Sequence, residues 1–228
     1  MDRVNIKQRA KAAFLGNYWK LVGTVLLAII LIGGIYVFTA DKESLYGLKD
    51  GFSFSVNITS RPINYVAILY SIFVGNVVAV GLAKVGLAAF RNREFELADL
   101  FYFFTGGRYV RTMGTMALVT VFTTLGFICL VIPGIIVSLG LSQVVYLLVE
   151  DENIAYMDAI KKSWEMTRGY KGDLFVMILS FIGWFLLALV TFGIAGVLFV
   201  NPYLTLTFAG YHNDLAGLRG MTTEVEVI

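Results

Sequence analysis

Residues 113–149 read MGTMALVTVFTTLGFICLVIPGIIVSLGLSQVVYLLV, an apolar stretch without one charged side chain. A membrane helix needs about 20 apolar residues to cross about 30 Å of hydrocarbon, so one straight helix of this length would overshoot the bilayer. Pro133-Gly134 lies near the middle, and Pro-Gly is a turn signal. The stretch therefore predicts two spans, Met113–Ile132 and Ile135–Val149, joined by a tight hairpin at Pro133-Gly134.

Four further runs have the same character: Leu21–Phe38, Ile63–Phe90, Leu174–Thr191 and Gly193–Tyr211. Thr191-Phe192-Gly193 is the expected turn between the last two. Composition agrees, with 58% hydrophobic and 15% charged residues in a chain of 228. A soluble domain of this size has too small a core to hide so much apolar surface, and lipid takes the excess. The N-terminal apolar run is read as a membrane helix and not as a cleavable signal. The polar region Met1–Lys20 is long, and Phe38-Thr39-Ala40 is a poor small-x-small cleavage site. The fold class that follows is all-α: one membrane domain, residues 1–228, a polytopic bundle of six transmembrane helices.

Basic residues set the expected orientation. With the N-terminus inside, fifteen of the eighteen Lys and Arg face the cytoplasm, and only Lys42, Lys49 and Arg61 fall outside. Both termini are then cytoplasmic. The one sizeable external segment is the loop at 40–62. Its Asn57-Ile58-Thr59 matches a glycosylation acceptor, read here as a chance occurrence.

Each hairpin follows an amphipathic stretch that ends in glycine. The stripes are Ile6, Ala10, Ala13 and Phe14 before Gly16; Phe95, Leu97, Leu100, Phe101 and Phe104 before Gly106-Gly107; and Ile154, Met157, Ile160 and Trp164 before Gly169. Such stretches beside a span read as interfacial elbow helices over 4–15, 94–105 and 153–168, apolar side toward lipid, with glycine turning the chain into the bilayer. The chain then divides into three copies of elbow plus hairpin (1–90, 91–150 and 151–213). The plainer alternative is that any cytoplasmic connector between spans is amphipathic.

Reactive groups are few. The single cysteine, Cys129, reads as a buried structural thiol, and one cysteine allows no disulfide within the chain and no cysteine-based metal site. His212, beside Asn213 and Asp214 at the end of the last span, reads as a surface or interface residue. Glu150-Asp151-Glu152 reads as a solvated helix start and not a cation site. All acidic residues lie outside the expected spans, which counts against an ion-coupled carrier. Lys84 is the one charge well inside a span, and it is close enough to Arg91 to snorkel to the cytoplasmic surface. No cofactor, metal or nucleic-acid site is expected.

Two features remain. Asn76, Gln143 and Asn201 place one amide in each of the second, fourth and sixth spans; they read as interhelical glue or as the lining of a polar interior. Gly75, Ala79 and Ala83 recur at four-residue steps, a stripe that lets another helix approach closely, in this chain or in a second subunit.

The C-terminal half carries Ile132-Pro133-Gly134-Ile135, Ala159-Ile160-Lys161-Lys162-Ser163-Trp164, Gly169, Ser180-Phe181-Ile182-Gly183-Trp184 and Asn201-Pro202-Tyr203. Arg9-Ala10-Lys11 and Gly16-Asn17-Tyr18-Trp19 add to them. This set resembles the bacterial integral membrane family catalogued as domain of unknown function 975. The resemblance implies a multi-pass protein of the bacterial inner membrane and supplies no activity. The expected function is a non-enzymatic scaffold or accessory subunit, whose partners are membrane lipids and a membrane protein or a second copy. The alternative is a transporter or channel for a small or lipid-like solute. A membrane-embedded enzyme ranks third.

Overall fold

The computed structural model describes residues 2–38 and 69–220. Among them the ordered elements are all helical, with no strand. Four helical stretches are long and apolar enough to cross a membrane: Ser71–Phe90, Arg108–Cys129, Val131–Glu150 and Lys171–Val190. A fifth is gained if the bent pair Arg3–Gly16 and Tyr18–Gly33 counts as one span. The sequence reading of six spans is thus matched in kind and exceeds this number. The external loop, its Asn57-Ile58-Thr59 and the first residues of the second expected span lie outside the described residues.

α1 (Arg3–Gly16) starts because Asp2 accepts hydrogen bonds from the Val4 and Asn5 amides, filling two of the open donors of the first turn. Its buried residues are Ile6, Ala10, Ala13 and Phe14, the stripe expected from spacing. The stripe faces protein, however, and not lipid. Ala10, Ala13 and Phe14 pack with Leu21, Val85, Phe90 and Leu206, and Ile6 packs near Leu215. Small side chains at two of the four positions let the helix lie directly on its neighbours. α2 (Tyr18–Phe38) leaves α1 at 95°. Gly16 stays helical, and the bend sits at Asn17, whose amide bonds the Phe14 carbonyl.

A π-helical turn, Ser71–Gly75, leads into α3 (Asn76–Phe90), the most buried helix of the bundle. Across it lies the second elbow, a 3-10 helix at Leu97–Phe104. Gly81 makes this crossing possible: a Cβ there would come within 2.2 Å of the Leu100 carbonyl oxygen. Leu100 and Phe103 are buried, whereas Leu97 and Phe101, expected on the same face, point outward. Gly106 and Gly107 take the left-handed backbone that ends the elbow.

α4 (Arg108–Cys129) and α5 (Val131–Leu141) form the expected hairpin, but the turn is not at Pro133-Gly134. The chain reverses at Leu130, which is extended, and Pro133 lies in the first turn of α5. A proline there removes an amide that has no helical acceptor anyway, so it does not break the helix. Gly126 and Gly134 face one another across the hairpin. Cys129, read as buried, is exposed at the tip. α5 continues after a break at Ser142-Gln143 as α6 (Val144–Glu150).

The third elbow is α7 (Tyr156–Thr167), closed by Gly169 with φ +86°. Its buried face is Ala159, Ile160, Ser163, Met166 and Thr167; Met157 and Trp164 of the expected stripe are exposed. α8 (Lys171–Leu179) and α9 (Ile182–Val190) make one stretch bent at Ser180-Phe181. Phe192 and Gly193 turn the chain with positive φ, at the position expected. A π-helical segment, Gly196–Val200, then runs into α10 (Asn201–Leu218), with Pro202 in its first turn.

Candidate functional site: a buried charge cluster at one end of the bundle

The ends of α3, α6 and α10 meet at a cluster of polar side chains that spacing did not reveal. Gln143, at the break between α5 and α6, has no exposed surface. Its amide nitrogen donates to Ser142 Oγ at 2.9 Å, and its Oε1 lies 3.1 Å from His212 Nδ1. His212 is also fully buried, and its ring stacks on Tyr146 with centroids 4.9 Å apart. The other ring nitrogen, Nε2, is 3.2 Å from Glu150 Oε2, close enough for ion pairing but not aligned as a hydrogen bond. Glu150 Oε1 accepts from Arg91 Nη2 at 2.5 Å, and Arg91 Nε donates to Asn213 Oδ1 at 2.9 Å. Both nitrogens of the ring therefore face oxygen atoms, and one carboxylate joins two basic side chains from two helix ends.

Two readings from sequence are corrected here. His212 is not a surface residue: it shares the buried face of α10 with Ala209 and Leu215, three residues to either side, while Asp214 points out to Arg9. Glu150 is not a solvated helix start, since its side chain is only 11% exposed between Arg91 and His212. Leaving that carboxylate unpaired would cost several kcal/mol on the order expected for a buried ion, so the partners and the burial come together.

A second set of contacts continues outward. Glu152 accepts from the Tyr102 hydroxyl at 2.5 Å and from Arg108 Nε at 2.6 Å. Arg111 Nη1 donates to the Glu152 carbonyl and to Asn153 Oδ1. Burial pushes the Glu152 carboxyl up, but the Tyr102 and Arg108 hydrogen bonds outweigh it and hold the group below the usual glutamate range. The same bond to Glu152, with burial, raises the Tyr102 hydroxyl above its ordinary value. Lys84, expected to snorkel toward the surface beside Arg91, lines the same recess as Arg91 and is partly exposed. It pairs with Asp99 at 2.9 Å and sits 3.2 Å from the centre of the Tyr102 ring. Asp99 also ends below its usual range, where burial is outweighed by the Glu96 amide and Lys84.

Beside these contacts lies a recess of about 680 Å³, with Lys84, Arg91, Arg93, Glu94, Asp99 and Glu150 in its wall. Further pairs tie the same end of the bundle together: Arg9 with Asp214 at 2.9 Å, and Arg3 with Asp173 at 3.7 Å. Among the described residues no group of three or more His, Cys, Asp or Glu could hold a metal ion.

Of the three amides singled out from sequence, only Gln143 joins this cluster. Asn76 opens α3, and Asn201 opens α10, where its carbonyl accepts from Thr205. The hydrogen bonds of Gln143 run to Ser142 and His212, and neither Asn76 nor Asn201 borders the cavity. Of the small-residue stripe, Gly75 and Ala83 are buried and Ala79 partly so; a Cβ at Gly75 would touch Ile32 of α2. The tightest approaches lie elsewhere on α3, at Gly81 against the 3-10 helix and Gly86 against Thr205 of α10.

Residues 113–219 match the sequence profile of the family described as Protein of unknown function (DUF975). No curated protein and no solved structure matches the chain.

Proposed function

We propose that this chain, whose residues 113–219 match the DUF975 family, acts as a non-enzymatic scaffold or accessory subunit of the bacterial inner membrane. In this reading it crosses the bilayer six times, with both termini in the cytoplasm, in three units of elbow plus hairpin. The sixth span is Gly196–Leu218. The pair Arg9–Asp214, which ties α1 to α10, supports an even number of crossings, because it brings the first and last helices to one end. The basic residues gathered at that end support a cytoplasmic side.

One observation carries the scaffold reading: the charges are spent on one another across elements. Arg91, Glu150 and His212 join α3, α6 and α10; Arg108 and Glu152 join α4 to the connector after α6; Lys84 and Asp99 join α3 to the 3-10 helix. Pairing of this kind makes a rigid cytoplasmic platform with a polar recess, a surface suited to holding another protein.

The test places a photo-crosslinking residue at Arg93 or Asp151 on the recess, and at Val121 on the exposed face of α4 as control. A discrete adduct of fixed mass from the recess, absent from Val121, is the expected result. Proteoliposomes holding the pure protein should at the same time show no pH-dye or ion flux above empty vesicles. Flux abolished by Glu150→Gln would replace the scaffold by the transporter reading.

A further inference from the structure

The α4–α5 hairpin and the elbow α7 enclose an apolar groove of about 320 Å³, separate from the polar recess. That volume is within the range of small-ligand sites. Phe122, Val137 and Leu141 line the hairpin side, and Ile160, Lys161, Trp164 and Glu165 line the elbow side. The elbow is held there by hydrogen bonds to one carbonyl. Gly140, near the end of α5, accepts from Ser163 Oγ at 2.8 Å and from Thr167 Oγ1 at 3.3 Å. A carbonyl so placed lacks a full helical partner, and the two hydroxyls supply it. Gly140 also lets the Trp164 ring lie flat on the α5 backbone, since a Cβ there would be 2.4 Å from Trp164 Cε3. Lys171 Nζ lies 3.0 Å from the ring centre and only 3.3 Å from where a Gly140 Cβ would stand, so it packs against the ring beside Gly140. The groove is therefore a built feature with a fixed wall.

We propose that this groove holds one acyl chain of a phospholipid with a zwitterionic, amine-bearing headgroup. Three observations converge. The walls are apolar except at one end, so the occupant is apolar with a polar terminus. Phe122 and Val137 sit 11 residues from Arg111 and 13 from Glu150, which puts them about 16 and 20 Å along the helices from the charged end. On the hairpin side the groove thus lies toward the middle of the helices, the level an acyl chain occupies. At its mouth Lys161 and Glu165 are exposed, and neither takes part in an ion pair among the described residues. They stand four apart on α7 with lysine first, the less favourable order for pairing with each other. A lysine and a carboxylate side by side complement a phosphate and an ammonium on the same headgroup. An anionic headgroup would meet Glu165 unfavourably. Trp164 between them is an aromatic with a polar edge, suited to the interface.

The inference rests on the α4–α5 hairpin lying in the bilayer. The test uses the full chain with Trp164 as its only tryptophan (Trp19→Phe, Trp184→Phe), reconstituted in vesicles with lipids brominated on the acyl chain. Brominated phosphatidylethanolamine should quench Trp164 with at least about twice the relative affinity of brominated phosphatidylglycerol. Glu165→Gln should remove that preference and leave quenching in place, and Val137→Phe should weaken quenching by both lipids. Equal quenching by the two headgroups in the parent protein would mean an ordinary lipid annulus and would overturn the proposal, as would a preference for phosphatidylglycerol. Quenching by neither would instead overturn the membrane placement of the hairpin. Should the single-tryptophan protein fail to fold, native mass spectrometry of the unaltered chain from an equal mixture of both lipids decides the point by which adduct survives.

Discussion

Replacing Glu150 by methionine removes the one carboxylate shared by Arg91 and His212 and keeps a side chain of similar length. The change leaves a guanidinium with one partner, Asn213, and leaves a fully buried imidazole with only Gln143. Breaking a fully buried ion pair costs about 3–5 kcal/mol. The Arg91 and Glu150 side chains keep 22% and 11% exposure, so water relieves part of that cost. The expected loss is about 2–3 kcal/mol. For a chain of this size each kcal/mol moves Tm by about 2–4 °C, giving a fall of about 4–12 °C in detergent. Glu150→Gln retains one acceptor and should fall between methionine and the native residue. Arg91→Met with Glu150→Met should lose less than the sum of the single changes, because the second removes a charge the first had orphaned; neighbours coupled in this way differ from additivity by about 0.5–3 kcal/mol. Differential scanning fluorimetry on the parent and the four variants (Glu150→Met, Glu150→Gln, Arg91→Met and the double change) measures all of this. A Glu150→Met midpoint within about 2 °C of the parent, or strictly additive losses, would show that the three side chains do not form one unit.

Gly81→Ala should destabilise by about 1–3 kcal/mol, as overpacking does, because its Cβ would strike the Leu100 carbonyl. A raised Tm, the ordinary consequence of Gly→Ala in a helix, would show that the 3-10 helix does not cross α3 there. Pro133→Ala should change stability by less than about 0.5 kcal/mol, since the proline is in the first turn of α5 and not in the reversal; a large loss would return the turn to Pro133-Gly134. The lowered Glu152 carboxyl contributes stability that is complete above its unfolded value near 4.5 and is lost as pH falls through the lower folded value. Glu152→Gln should therefore flatten the acid limb of a Tm-against-pH curve below about pH 4.5, and an unchanged limb would exclude the contacts with Tyr102 and Arg108. Cys129, exposed at a hairpin tip, should react with a membrane-impermeant maleimide added outside intact cells if the protein has six spans; labelling only after lysis would reject that topology.

The apolar runs were readable because the period of helix burial and the length of a bilayer both leave a mark on sequence. The α1 stripe was readable residue by residue, since Ile6, Ala10, Ala13 and Phe14 keep helical spacing whatever covers them. What covers them was not readable, because lipid and protein both reward apolar side chains. The turn at Leu130 was missed for a related reason: Pro-Gly is equally at home in a turn and in the first turn of a helix. The charge cluster needed Arg91, Gln143, Glu150 and His212, which are far apart in sequence, and the polar neighbours Asn213 and Asp214 made His212 resemble a solvated end. One signal was present. Arg91, Glu150 and His212 lie toward the ends of three helices, α3, α6 and α10, that meet at the charged face, so opposite charges were due at one depth.

The two long hairpins end differently, and their backbones say why. Leu130 and Phe192 each lie 19 residues beyond the last charged residue, Arg111 and Asp173, about 28 Å along a helix. That is close to the thickness of the hydrocarbon, so each hairpin is long enough for its tip to reach the far boundary of a bilayer, with no charge to carry it further. Around Phe192 the amides from Thr191 to Ala195 all have acceptors: Leu187, Leu189, Ala188 and Thr191 supply carbonyls, and the Thr191 hydroxyl takes the Ala195 amide. Thr191 also returns its own hydroxyl proton to the Leu187 carbonyl. A turn closed in this way can sit in hydrocarbon without stranding a donor, which matches a Phe192 side chain that is 90% exposed on the protein. The Leu130 turn bonds its own amide to Gly126 and accepts from Gly134, and Pro133 removes one further donor from the start of α5. The proline thus reduces the polar load at an apolar tip in place of making the turn, which accounts for a Pro-Gly pair sitting three residues past the point where the chain reverses.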